Sequence, residues 1–207
     1  MSFEVARGEF TALVGPSGSG KTTALNLVGA LDVPDEGRVV IEGRDLGELS
    51  KSELARLRRD RIGFVFQAYN LIPVLSAYEN AQFVLALQGA DPKERDRRVL
   101  EVLEAVGLKG KGDRRPDELS GGQQQRVAIA RAIAPKPAIV LADEPTANVD
   151  SDTANSLLDL MEALNREHGV TFLFSTHDTR VMERARRIIR MKDGRLDGDE
   201  RKDGSSP

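Results

Sequence analysis

The sequence of 207 residues predicts an α/β fold in which helices cover a mostly parallel central sheet. Short apolar runs at 10–14, 138–142 and 170–175 have the length and composition of strands that are buried on both faces. A glycine-rich turn follows the first of these strands directly, and an amphipathic run with helical spacing follows the turn. We therefore expect a strand–turn–helix unit at the centre of the sheet.

The composition excludes several classes of protein. There is no cysteine, so disulfides, thiolate metal sites and a cysteine nucleophile are excluded. Lys and Arg number 30 against 33 Asp and Glu. This balance argues against a nucleic-acid partner, because proteins that bind nucleic acids are usually basic. No apolar run approaches the roughly 18 residues of a membrane span, and the first residues lack the apolar core of a secretory signal. The length predicts a single domain over 1–207, with a solvated, charged tail at 197–207.

Residues 15–22 fit G-x-x-x-x-G-K-[ST], the pattern of a phosphate-binding loop. In such a loop successive backbone N–H groups point inward and form an anion nest. Lys21 supplies a positive charge for the β- and γ-phosphates, and the Thr22 hydroxyl is a ligand for Mg²⁺. A flexible Gly/Ser linker is the alternative, which the flanking strand and helix disfavour. The predicted nucleotide-binding residues here are Gly15, Pro16, Ser17, Gly18, Ser19, Gly20, Lys21, Thr22 and Thr23.

Two carboxylates, Asp143 and Glu144, follow the second apolar strand. Ligands bind at the carboxyl ends of parallel strands, so we expect Asp143 to hold Mg²⁺, directly or through water. Glu144 is placed to accept a proton from an attacking water. A plain acidic strand end is the alternative. His177 ends the third apolar strand, in register with these carboxylates, and we expect it to face the γ-phosphate.

A second anion site is predicted at the start of another helix. Ser120 and Gln123 have the spacing of a capping box, so a helix should begin here and run to Ala134, before a proline. Two adjacent glycines at 121–122 leave the N–H groups of that helix start exposed. A plain helix cap remains the alternative interpretation.

The remaining elements are predicted from turns, caps and spacing. We expect two strands across 2–14 around a turn at 7–9, and further strands at 38–42 and 62–66. A capping box at Ser50 opens a basic helix that buries Leu54 and Leu57. We expect the four arginines of this helix to form a solvated face; a phosphate-binding patch is the less favoured alternative. These residues are Arg56, Arg58, Arg59 and Arg61.

The stretch from 69 to 118 has a helical pattern, which we interpret as an inserted helical subdomain completed by the helix at 120–134. Asp91 and Pro92 have the order of an N-cap and a first helical residue. Asp150 can cap a later helix, and two short strands at 187–191 and 195–196 are expected to close the sheet.

In this order, the motifs resemble those of the nucleotide-binding subunit of ATP-binding cassette (ABC) transporters, over residues 2 to about 197. The most specific of them is Leu119-Ser-Gly-Gly-Gln123, the cassette signature. The finer sequence resembles the lipoprotein-releasing, macrolide-exporter and cell-division branch. The other matching motifs are the phosphate loop at 15–22, Gln67, Asp143-Glu144, Asp150 and His177.

The resemblance implies an ATPase with ATP and Mg²⁺ as its ligands. Gln67 would contact Mg²⁺ and the attacking water, with Thr22 and Asp143 as the other Mg²⁺ ligands. Glu144 would be the general base, and His177 would hold the γ-phosphate. Two copies would pair head to tail, with Asp150 at the interface. The γ-phosphate bound to one copy would be held by the other copy's Ser120, Gly121, Gly122 and Gln123.

The resemblance also implies a separate membrane permease, coupled through residues near 68–90, and a cytoplasmic position on the inner face of the cell membrane. A regulatory cassette of the cell-division type and a truncated, non-hydrolysing binding module are the alternatives. The family has a further strand and an adenine-stacking aromatic residue upstream of the first residue here. Phe3 lies too near the phosphate loop to be that aromatic residue, so we expect the first strand of the antiparallel edge to be missing.

Overall fold

A six-stranded sheet forms the centre of the protein, whose computed structural model describes residues 1–202. Its strand order is β4-β5-β6-β1-β7-β8, parallel except for the antiparallel pair β7–β8, which confirms the predicted fold class. A separate antiparallel pair is formed by β2 and β3. The strands are β1 (Phe10–Val14), β2 (Val40–Ile41), β3 (Arg44–Asp45), β4 (Ile62–Val65), β5 (Ile139–Asp143), β6 (Phe172–Thr176), β7 (Arg187–Lys192) and β8 (Arg195–Arg201).

The helices begin where the sequence places their caps. Ser50, Ser120 and Asp91 each accept hydrogen bonds from the first turn of their helix, as predicted. Two short 3₁₀ turns lie at Leu46–Glu48 and Pro116–Glu118. The α-helices are α1 (Lys21–Val28), α2 (Lys51–Arg61), α3 (Ala77–Leu87), α4 (Pro92–Ala105), α5 (Gly121–Ile133), α6 (Ser151–His168) and α7 (Thr179–Arg184). Among residues 1–202, no helix is both long enough and apolar enough to cross a bilayer.

The core lies on both faces of the sheet, because its central strands are buried on both sides. Phe10, Phe172 and Phe174 pack together on one face, with ring centroids 4.7–5.6 Å apart. Leu13 and Leu173 belong to the core on the other face. Burial of each such side chain contributes about 1.5–3 kcal/mol, so this packing fixes the register of β1 against β6.

That register brings the carboxyl ends of four strands to one edge of the sheet. Val14 lies opposite Thr176, and Asp143 lies opposite Ser175. Strand β4 ends one position earlier along the same edge, with Val65 opposite Ala142. The loops that follow these strands are therefore neighbours.

Three predicted boundaries are wrong. Residues 2–6 form no strand; Phe3 and Val5 pack against the core instead, and the Glu4 carbonyl accepts a hydrogen bond from Arg187. The strand expected at 38–42 is only Val40–Ile41, because its partner is a two-residue strand across a tight turn. The tail expected from 197 is in fact part of β8, which pairs with β7 as far as Arg201. Residues 203–207 of that tail lie outside the described residues.

The arginines of α2 mostly bond within the chain, so neither sequence interpretation describes them fully. Arg58 donates to the carbonyl of Ala30 (2.6 Å), and Arg61 donates to the carboxylate of Glu42 (2.5 Å). Both acceptor residues have left-handed backbones, with φ of 52° and 50°. Arg59 pairs with the neighbouring Asp60. These bonds disfavour a phosphate patch on this helix.

Candidate active site

The predicted phosphate loop turns sharply between β1 and α1. A Cβ on Gly15 would lie 2.3 Å from the Met191 carbonyl oxygen, so no larger residue fits there. Gly20, the residue before α1, has a left-handed φ of 95°. These two glycines let the chain leave the sheet and enter the helix within a few residues.

The start of α1 carries donors without intrahelical acceptors. The first helical bond runs from the Ala24 N–H to the Gly20 carbonyl (2.9 Å), and no side chain caps the helix. The N–H groups of the first turn, from Lys21 to Thr23, are therefore available to an anion. The Lys21 ammonium donates to the carbonyls of Gly15 (2.8 Å) and Pro16 (3.1 Å), which keeps it beside the loop.

The buried Ser19 hydroxyl also lacks a hydrogen-bond partner within residues 1–202. Together with the free N–H groups and the ammonium, it makes the loop a cradle rich in donors. Such a cradle fits the phosphate groups of a nucleotide.

Glu144 lies immediately after β5 and is held by the end of β6. Its Oε2 accepts the Thr176 hydroxyl (2.9 Å), and its Oε1 lies 2.6 Å from His177 Nδ1 and accepts the His177 backbone N–H (3.2 Å). The Glu144 side chain is 18% exposed and that of His177 is 79% exposed. Because a carboxylate only accepts, Nδ1 carries the proton and Nε2 is left free.

The backbone of Glu144 is itself strained, with φ of 44°. Its N–H donates to the Ser175 carbonyl (2.9 Å), so the left-handed conformation is fixed from the neighbouring strand. A residue of this kind costs about 1–3 kcal/mol and is tolerated where its surroundings hold it.

Gln67 lies two residues beyond β4 and meets the loop that follows Glu144. Its side-chain Nε2 donates to Asn148 Oδ1 (3.4 Å), and Asn148 Nδ2 donates to the Gln67 carbonyl (3.0 Å). The Tyr69 hydroxyl donates to the Asn148 carbonyl (3.1 Å). Sequence reasoning did not find Asn148 or Tyr69, because nothing local marks a contact across about eighty residues.

The loop after Glu144 is also tied to the loop that contains His177. The Thr146 hydroxyl donates to Asp178 Oδ2 (2.8 Å). Arg180 and this hydroxyl lower the pKa of Asp178 to about 2. The charged carboxylate therefore joins the two loops that follow β5 and β6.

The predicted capping box is present at the start of α5. Ser120 Oγ accepts the Gln123 N–H (3.4 Å), and Gln123 Oε1 accepts the Ser120 N–H (3.2 Å). Within residues 1–202, the hydrogen bonds of 120–123 stay in this helix start and none reaches the loop at 15–22.

Both glycines of this helix start have a packing role that the sequence did not reveal. A Cβ on Gly121 would lie 2.8 Å from Tyr69 Oη, and one on Gly122 would lie 2.4 Å from Thr153 Cγ2. Thr153 is itself fixed by Asp150, which caps α6 by accepting its N–H (2.9 Å) and its hydroxyl (2.7 Å). These bonds lower the pKa of Asp150.

The structure therefore gathers the predicted residues into two groups. The loop at 15–22, Gln67, Glu144 and His177 follow adjacent strands at one edge of the sheet. The residues at 120–123 and Asp150 form a second group, linked to the first by Tyr69.

A divalent cation would find few protein ligands here. Within residues 1–202, no cluster of three or more His, Cys, Asp or Glu side chains could hold a metal. Mg²⁺ usually binds through one or two protein groups, with phosphate oxygens and waters completing its octahedron. The exposed Thr22 hydroxyl, the Gln67 amide oxygen and the Asp143 carboxylate suit that mode of binding.

Comparisons with known proteins agree over nearly the whole chain. A family model described as ABC transporter matches residues 1–147. An uncharacterized ABC transporter ATP-binding protein of Thermotoga maritima is 48% identical over 202 residues, 98% of this chain and 86% of that protein. The ABC transporter ATP-binding protein YtrE of Bacillus subtilis is 47% identical over 198 residues, 96% of this chain and 86% of that protein.

Solved structures of the ATP-binding cassette MJ0796 are similar in fold. One is a dimeric, post-hydrolysis state bound to ADP and Pi, and another is described as a dimeric bacterial ABC transporter cassette. Each structure has a TM-score of 0.86 and 45% sequence identity to this chain. Each match covers 96% of this chain and 88% of the matched MJ0796 chain. With the phosphate cradle and Glu144 at one sheet edge, these matches show that the chain belongs to the ABC transporter family, as an ATP-binding cassette that hydrolyses ATP with Mg²⁺.

Proposed function

We propose that this ATPase works as a head-to-tail homodimer that drives a separate membrane permease of the lipoprotein-release or export type. The arrangement of Glu144 is the observation that carries the catalytic part of the proposal. Its carboxylate is mostly shielded from water, held by Thr176 and His177, and placed at the same sheet edge as the phosphate loop. A fixed carboxylate of this kind suits removal of a proton from water during phosphoryl transfer.

In this mechanism the phosphate loop binds the ATP phosphates through the first-turn N–H groups of α1 and the Lys21 ammonium. Thr22, Gln67 and Asp143 would hold Mg²⁺, which when bound would supply positive charge to offset the charge that develops on the phosphate oxygens. Glu144 takes the proton of the attacking water. His177 keeps that carboxylate in place through Nδ1, and it would hold the γ-phosphate through an Nε2 that also carries a proton, because phosphate oxygens only accept.

The second copy would complete the site. The start of α5 offers backbone N–H groups that are not used by this chain's own phosphate loop. The γ-phosphate on the other copy would therefore meet the residues at 120–123, with Asp150 beside the interface. The MJ0796 cassettes, which are described as dimeric, support this arrangement.

The permease would dock near the segment at 68–90. Three apolar side chains are exposed there: Val74 is 72% exposed, Leu87 57% and Phe83 38%. Exposed apolar side chains in one segment favour a protein contact. Such a contact would place the chain on the cytoplasmic face of the membrane.

The test compares ATP hydrolysis by the full chain, by Glu144→Gln, and by Glu162→Gln as a matched control on α6. Loss of the general base should lower kcat about 10²–10⁴-fold, while ATP still binds. Gel filtration with ATP should show a dimer that persists or becomes stronger in Glu144→Gln. Unchanged kcat in Glu144→Gln would overturn the role of this carboxylate, and a monomer at saturating ATP would overturn the dimer.

A further inference from the structure

The turn that follows Gln67 has an unusual backbone. Tyr69 and Asn70 are both left-handed, with φ of 59° and 49°. The Tyr69 N–H donates to the Phe66 carbonyl (3.2 Å), and the Asn70 N–H donates to the Ala68 carbonyl (2.6 Å). Two consecutive left-handed residues without glycine are strained, and a bulky tyrosine especially so. Something outside the turn must therefore stabilise it.

Arg131, near the carboxyl end of α5, provides that stabilisation. One guanidinium nitrogen donates to the Asn70 carbonyl (2.5 Å) and another donates to the Tyr69 carbonyl (3.0 Å). The planar fork of a guanidinium can reach two carbonyl oxygens at once, which an ammonium cannot do in the same geometry. The left-handed pair turns both carbonyls toward this fork.

The same turn fixes Gln67 from its other side. Asn148 donates to the Gln67 carbonyl (3.0 Å) and accepts from its side-chain amide (3.4 Å). The Tyr69 hydroxyl donates to the Asn148 carbonyl (3.1 Å), so release of Tyr69 would also loosen Asn148. The position of the Gln67 amide thus depends on the turn that Arg131 holds.

We propose that Arg131 is a positioning residue for ATP hydrolysis, which acts through the Tyr69–Asn70 turn to place the Gln67 side chain. The proposal rests on the proposed role of Gln67 toward Mg²⁺ and the attacking water. Arg131 belongs to the same helix as the residues at 120–123, so α5 serves both the chain's own site and the site on the partner. Substitution of Arg131 should change kcat more than KM, because Arg131 does not touch the phosphate loop.

The first experiment measures kcat and KM for ATP in Arg131→Met, with Arg126→Met as a matched control. Arg126 lies on the same helix and donates to the Val106 carbonyl (2.6 Å) and the Ser156 hydroxyl (2.7 Å), away from Gln67. We expect kcat to fall about tenfold in Arg131→Met, with KM little changed. Arg131→Lys should recover part of the loss, because one carbonyl still finds a donor. An equal fall in kcat for both methionine variants would overturn the proposal.

The second experiment is a double-mutant cycle with Gln67→Ala. If Arg131 acts through Gln67, then Gln67→Ala with Arg131→Met should be no slower than Gln67→Ala alone. Additive losses would overturn the proposal and would leave the role of Gln67 intact. If Gln67→Ala alone leaves kcat unchanged, the proposed role of Gln67 fails and this inference fails with it. If Arg131→Met does not fold, the same double-mutant cycle is measured with Arg131→Lys.

Discussion

Gly122 lies so close to Thr153 that the pair tests how the start of α5 is packed. A Cβ on Gly122 would lie 2.4 Å from Thr153 Cγ2. Carbon atoms in contact are normally about 3.5–4.0 Å apart, so Gly122→Ala forces α5 or α6 to shift. Overpacking of this kind lowers the free energy of unfolding by about 1–3 kcal/mol.

Thr153→Ser removes the obstructing methyl group and keeps the hydroxyl that donates to Asp150. By itself this change should cost about 0.8 kcal/mol for the lost methyl contact. In the Thr153→Ser background, Gly122→Ala meets no methyl group, and the helix propensity of alanine adds stability, up to about 0.8–1.0 kcal/mol, the value for an interior helix position. We therefore expect Gly122→Ala to destabilise the original chain and stabilise the serine variant, with a coupling of about 2 kcal/mol.

Urea unfolding measures this coupling in four proteins, namely the original chain, Gly122→Ala, Thr153→Ser and the double variant. A difference of 1 kcal/mol in the free energy of unfolding corresponds to about 2–4 °C in Tm for a chain of this size. If Gly122→Ala costs the same in both backgrounds, the steric explanation is wrong. ATP hydrolysis by the double variant separates packing from binding. A stable but slow double variant would mean that Gly122 is also needed where the partner's phosphate approaches.

Three further predictions concern charged and phenolic groups. The pKa of Asp178 is about 2, below its ordinary value. The contribution of this carboxylate to stability is therefore present above pH 4 and is lost as the pH falls toward 2. The difference in urea midpoint between the original chain and Asp178→Asn should shrink over that range. The Arg187 side chain is only 8% exposed and pairs with Glu9 and Asp199, so Arg187→Met, which leaves Asp199 without this partner and Glu9 with Arg201 alone, should lower the free energy of unfolding in urea by about 1–3 kcal/mol. Burial, and to a lesser extent a hydrogen bond to the Asp96 carboxylate, raises the pKa of Tyr78 to about 12. In a Tyr69→Phe variant, where Tyr78 is the remaining tyrosine of the sequence, ultraviolet absorbance should show little phenolate at pH 10–11. Full ionisation near pH 10 would contradict this environment.

Features that depend on neighbouring residues in the sequence could be predicted. The capping boxes at Ser50 and Ser120 are present because both partners lie within one turn of helix. The phosphate loop follows from the spacing of its glycines and lysine between a strand and a helix. The edge at which the candidate residues meet follows from the parallel sheet, because all of its parallel strands end on the same side.

Features that depend on distant partners could not be predicted. The segment at 2–6 alternates like a strand, but strands need a neighbour to bond to, and this segment packs against the core instead. The charged residues 197–201 look solvated, yet they pair with β7 because a strand at the sheet edge can keep its side chains in water. The contacts of Asn148 and Arg131 with the turn after Gln67 span 61–81 positions and leave no periodic signal.

Backbone strain near the proposed active site is balanced by partners from distant elements. Glu144 is left-handed and is held by groups that follow it by about thirty positions, and the turn at 69–70 is held by Arg131 from α5. Each strained residue costs about 1–3 kcal/mol, so these conformations persist only while the sheet and α5 are packed together. Neither segment would keep its geometry as an isolated peptide, because the bonds that offset the strain would be absent. The positions of the Gln67 amide and the Glu144 carboxylate are therefore properties of the assembled core, and a change in the packing of α5 should be felt at the Gln67 amide.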